Sequence, residues 1–242
     1  MYFTLIKLPT DFALLKDHFG RMKKLFMQRL LLLFGILTFF SSNVNSQVDS
    51  AAIKYQQVVY NRAYKIAAEL QITNQATYNE VSKLIAAHYT NLNEVYTKRD
   101  SNLKTLKANT GLSKEKSEDA KKNIAVVTKA DIDKVHVQFI TDLSKYLNPA
   151  QVEGVKNGLT YNVLNVTYKA YNDMIPGLKA EEQKQIMEWL IEARELAMDE
   201  ESSNKKHECF GKYKGRINNF LSKNGYDLQA ERKAWEERLK TQ

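Results

Sequence analysis

Tyr78, Val81, Ile85, His88, Leu92, Val95 and Arg99 advance by threes and fours. No sustained stretch of residues 47–242 alternates apolar and polar side chains between turn signals. A chain with only this period buries its apolar stripes helix against helix, so the expected fold class is all-α. The same spacing recurs at Ala52, Val59, Ala63, Ile66 and Leu70, and again at Ile132, Val135, Phe139, Leu143 and Leu147. Asn148 and Pro149 then read as an N-cap and a first helical residue, because proline lacks only an N–H that has no helical partner there. A tyrosine-rich helix is expected from about Tyr161 to Met174, stopped by Pro176 and Gly177. Further helices follow through Ile186 to Ala197, and through His207 to Leu221 with a stop at Asn224 and Gly225. A last polar helix is anchored by Trp235. The sum is a single-domain bundle of about seven to eight helices. Residues 107–123, KANTGLSKEKSEDAKKN, are polar enough to be expected as an exposed loop and helix end.

The N-terminus sets the compartment. From Met22 a basic head (Lys23, Lys24, Arg29) precedes an apolar run from Leu30 to Phe40, then SSNVNS with Val44 and Ser46 placed for cleavage before Gln47. That is the order of a secretory signal peptide, and the run of about 11 residues is too short to span a bilayer. Residues 1–21 hold Pro9, Asp11, Asp17 and Gly20 and read as an extension ahead of the true start. The organisation expected is thus 1–21 extension, 22–46 signal peptide and 47–242 helical domain. The protein would be exported, to the periplasm or beyond, with no membrane attachment after cleavage.

Net charge supports no nucleic-acid role. The whole chain is +8, but 1–46 carries six of the 36 basic and two of the 28 acidic residues, so the mature chain is only +4. Outside the cytoplasm such a modest excess is a poor reason to expect DNA or RNA. Cys209 is the single cysteine, so an intrachain disulfide is impossible, and it reads as a small packing residue.

Motif chemistry is sparse. His207-Glu208 would need a histidine at 211 to form a zinc helix, and Gly211 stands there. No phosphate loop or dinucleotide fingerprint occurs, so no cofactor, metal or catalytic set is assigned. His88 reads as a core or boundary histidine. Glu188, Glu192 and Glu195 share a helix face that is either solvated or, with a suitable cleft, a carboxylate pair.

The aromatic and amide residues say more. Tyr161, Tyr168 and Tyr171 with Asn162, and His207, Lys212, Tyr213, Arg216 and Asn219, set flat apolar faces beside amide and cationic donors. A sugar ring offers apolar C–H faces and hydroxyl edges, so these nine residues are the candidate ligand-binding set. The alternative is that tyrosines of a helical bundle pack with only their hydroxyls at the surface.

TYNVLNVTYKAYNDMIPGL, WLIEARELAMDE and above all KKHECFGKYKGRINNFLSKNGYDL resemble a secreted Bacteroidota family, domain of unknown function 3826, described as sugar-binding. The resemblance covers nearly all of residues 50–240 and implies a carbohydrate ligand, but no catalytic residues. Two other readings stay open. LQITNQ, LNPAQ and LKAEEQ each set a leucine ahead of a glutamine at a helix start, which is either helix punctuation or a likeness to periplasmic chaperones. The third is a polysaccharide-active enzyme. Oligomeric state is not written in the residues.

Overall fold

The computed structural model describes residues 45–241, with side chains from residue 52 onward. The expected extension and signal peptide lie outside the described residues, save positions 45 and 46. The chain divides into two compact units, 1–55 and 56–242, and every buried residue named below belongs to the second. Among the described residues there are eight helices and no strand.

Helix α1 (Asn45–Ala68) ends where Gln71 takes a left-handed φ of 53°, and Asn74 caps α2 (Gln75–Ala108) by accepting the Thr77 N–H at 3.0 Å. Ser113 caps α3 (Lys114–Leu143), so the loop between these long helices is only residues 109–113. The polar stretch 107–123, expected as an exposed loop and helix end, does hold the loop, but more of it is helix than loop. Cap and spacing explain the difference: the Ser113 hydroxyl accepts from Lys116 N–H, and Glu118–Lys121 and Asp119–Lys122 pair one turn apart on the solvent side.

Asn148 and Gln151 form a reciprocal capping box at the start of α4 (Pro149–Leu159). The Gln151 amide also donates to the Leu70 carbonyl at 3.1 Å, which ties α4 to the end of α1. Helices α5 (Val163–Met174), α6 (Ala180–Ala197), α7 (Ser203–Lys223) and α8 (Leu228–Lys240) complete the order. Two of the leucine-to-glutamine segments hold caps, Asn74 and Asn148; in the third, Glu182 accepts from Lys179 N–H at 2.9 Å. Helix α7 closes on Gly225 (φ 96°), with Tyr226 N–H reaching back to the Leu221 carbonyl, a turn that needs a residue without Cβ strain.

Two apolar clusters hold the fold. The first joins Ala63 and Ile66 of α1, Val81 and Ile85 of α2, Phe139 and Leu143 of α3, and Val155 and Leu159 of α4. The second joins Leu164 and Tyr171 of α5, Ile186 and Leu190 of α6, and Phe210 and Ile217 of α7, with Trp235 of α8 partly buried against it. Close approach of α4 to α1 depends on two glycines. A Cβ at Gly154 would stand 2.7 Å from Leu70 Cδ2, and one at Gly158 would stand 2.7 Å from Ile66 Cγ2.

Candidate functional site

The corner between α4 and α5 is the most strained point described. Tyr161 and Asn162 are both left-handed, at φ 57° and 56°. Asparagine tolerates that region; a tyrosine there costs about 1 to 2 kcal/mol, so its surroundings must over-determine it. They do so from several sides. Asn162 N–H bonds to the Asn157 carbonyl at 2.8 Å, and the Asn162 side chain accepts from Asn165 at 2.6 Å. Lys206 of α7 is 4% exposed and donates to the carbonyls of Leu159 (3.1 Å) and Met198 (2.8 Å), where α4 and α6 end and a cation suits the helix dipole. Its neighbour His207 stacks on Tyr161, rings 14° from parallel and 5.8 Å apart. Tyr161 is thereby held 50% exposed.

Tyr161 lines a cleft of about 640 Å³. Arg62 and Lys65 of α1 and Glu69 just after it supply charge, Tyr89 of α2 a second aromatic side chain, and Asn157, Asn162 and Asn165 amides. Gly154 and Gly158 also line it, so part of its surface is bare backbone. The Asn157 side chain does not swing freely: its amide oxygen Oδ1 accepts from Arg194 at 2.9 Å. Arg194, 3% exposed, also pairs with Glu153 and with Glu195 (2.8 Å), and Lys156 reaches Glu195 at 3.0 Å.

A buried charged group lies next to this cleft. Lys206 Nζ stands 5.8 Å from the centroid of Tyr89, and burial pushes its pKa down to about 8 although Asp199 and Glu200 oppose the fall. Asp199, just past α6, meets two histidines from distant parts of the chain. Its Oδ2 lies 2.6 Å from His136 Nδ1, and its Oδ1 lies 3.0 Å from His88 Nε2. The second contact is close but misaligned, so neither ring nitrogen of His88 has a hydrogen-bond partner among the described residues. His88 is 2% exposed and stacked on Phe139 at 3.9 Å. Burial lowers the His88 pKa despite the carboxylate, whereas the hydrogen bond to Asp199 raises that of the more open His136. Burial works against the Asp199 carboxylate, but the two imidazoles outweigh it and hold its pKa below the usual range. Among the described residues, no three His, Cys, Asp or Glu side chains are placed to hold a metal ion.

The nine residues expected at a single groove are divided. Tyr161 and Asn162 line the cleft, and His207 stands behind Tyr161. Tyr168 is half-buried against the second cluster. Tyr171 is buried and offers no open face: its hydroxyl donates to Asn218 at 2.7 Å, and burial raises its pKa to about 12. Tyr213 is half-buried beside Glu192, and Arg216 lies 4.4 Å over Trp189 and 3.6 Å from the same glutamate. Lys212 and Asn219 are exposed on α7. The open groove expected between the tyrosine helix and α7 is thus closed where Tyr171 bonds across to Asn218. The cleft lies instead between α1 and α4, and Arg62, Lys65, Tyr89, Asn157 and Lys206 were not among the expected residues. A weak signal for it existed in the asparagines around Tyr161 and in Lys65 four residues before Glu69.

A family model described as a protein of unknown function, DUF3826, matches residues 56–241. The chain belongs to that family. No curated protein matches it. In this DUF3826 protein the matched region contains both apolar clusters, the cleft and the buried Asp199 group.

Proposed function

We propose that this DUF3826 protein is exported and binds a carbohydrate non-covalently in the cleft between α1 and α4. The observation that carries the reading is Tyr161: an aromatic ring kept half exposed by a costly backbone conformation, backed by His207 and set among three asparagines. Such a ring can cover the C–H face of a sugar while amides meet its hydroxyls. Asn157, fixed by Arg194, loses little side-chain freedom on binding, which favours affinity. The cleft is large enough for a mono- or disaccharide unit, being within the range of small-molecule sites.

Calorimetric titration of the purified protein with a panel of oligosaccharides tests this. Saturable binding that Tyr161→Ala abolishes is expected. If every sugar fails and the protein instead suppresses aggregation of a denatured client, the chaperone reading replaces this one. Release of shortened products from a bound polysaccharide would make it an enzyme. Export is tested by N-terminal sequencing of the protein from the periplasmic fraction, with Gln47 expected as its first residue.

A further inference from the structure

We infer that the cleft selects an acidic sugar, one carrying a carboxylate or sulfate ester, and that Arg62 and Lys65 read its charge; this rests on the carbohydrate reading above. Many basic side chains of this fold are paired with carboxylates. Lys83, Lys121, Lys129 and Lys145 each hold a carboxylate three or four residues away, and Arg99, Arg194 and Arg216 hold theirs across helices or next door. Arg62 and Lys65, like the exposed Lys54, Lys104, Lys212 and Lys214, hold no carboxylate among the described residues, and of these six they are the two that line the cleft. Both face the cleft, both are exposed, and neither has a hydrogen bond or ion pair with a carboxylate among the described residues. Lys65, in the last turn of α1, stands four residues before Glu69, which lies in the turn just past the helix end, and no pair forms between them.

The surroundings add to the positive field. Lys206 is close enough for Arg62 to help lower its pKa, and Glu69 is the one acidic residue among those lining the cleft. A neutral sugar would leave two cations of the cleft without use. An oxyanion would meet a planar guanidinium fork and an ammonium, the pair of donors suited to it. The stacking surface of Tyr161 would then hold the ring to which that anion is attached.

The test titrates the full protein with tetragalacturonate, a sulfated oligosaccharide, a neutral galacto-oligosaccharide and polyglutamate. At least one acidic sugar is expected to bind about tenfold or more tightly than the neutral one, and the better of the two tells carboxylate from sulfate. Arg62→Gln and Lys65→Gln should each weaken that binding about tenfold, Glu69→Gln should strengthen it, and added salt should erode it. Circular dichroism of each variant confirms folding. Equal binding of neutral and acidic sugars, indifferent to Arg62→Gln, overturns the inference while the carbohydrate reading stands. Binding of polyglutamate alone overturns both in favour of an acidic peptide, and no binding at all overturns both outright.

Discussion

Replacing Lys206 with methionine tests whether a lysine is held charged next to the cleft at a cost to stability. Its pKa falls from 10.5 to about 8. At about 1.4 kcal/mol per pH unit, the ionised side chain is about 3 kcal/mol less comfortable in the fold than in the unfolded chain. The sign follows from proton counts. Between pH 8 and 10.5 the unfolded chain holds the proton and the folded one releases it, so stability rises with pH across that window and the penalty is fully present below it. From pH 7.5 to 9.5 the gain amounts to about 2 kcal/mol. Lys206→Met lacks this gain, while other groups that titrate there are common to both proteins and cancel in the difference. At pH 7.5 the variant loses two donors to helix-end carbonyls but sheds the desolvated charge, so its absolute stability changes little. Urea denaturation of both proteins at several pH values measures the difference. A difference that stays flat within about 0.5 kcal/mol from pH 7.5 to 9.5 would refute a desolvated Lys206.

Gly158→Ala should cost about 1 to 2 kcal/mol in urea unfolding, because its Cβ meets Ile66 and the gain in helix propensity offsets only part of the clash. Tyr161→Gly should leave stability unchanged or raise it by about 1 kcal/mol, since glycine accepts the left-handed φ, while sugar binding measured by calorimetry is lost. Asp199→Asn should cost about 2 to 4 kcal/mol near pH 6. It should also flatten the pH profile of thermal unfolding. The native carboxylate stabilises above its usual pKa of 3.8 and ceases to as pH falls through its lower folded value. His136 stabilises below 6.5 and ceases to as pH rises through its raised value.

Local physics made the helices legible. Apolar spacing marks most of the eight and Trp235 the polar α8, while Asn148-Pro149 marks the start of α4 and Asn224-Gly225 the stop of α7, because caps act within one turn. Residues 114–123, within the stretch expected as exposed loop and helix end, are all helical; a solvated helix shows no apolar stripe, and its support comes from Ser113 and one-turn ion pairs. The site depended on which helices meet. Periodicity gives Tyr171 a face but not the neighbour that covers it, so a core tyrosine and an exposed one looked alike. Arg62 and Lys65 gain meaning only when α4 lies against α1. His88, His136 and Asp199 are spread over more than a hundred residues, and no spacing rule links them.

Between the two apolar clusters run directional contacts: Lys206 to the ends of two helices, Arg194 to Asn157, Asp199 to His136. Oily surfaces slide over one another with little change in energy, but bonds of this kind work at one alignment only. The seam therefore acts as a keyed joint, fixing the angle at which the halves meet. A ligand pressing on Asn157 or Tyr161 pushes on the same key, so occupancy of the cleft should be felt in the second cluster as well as the first.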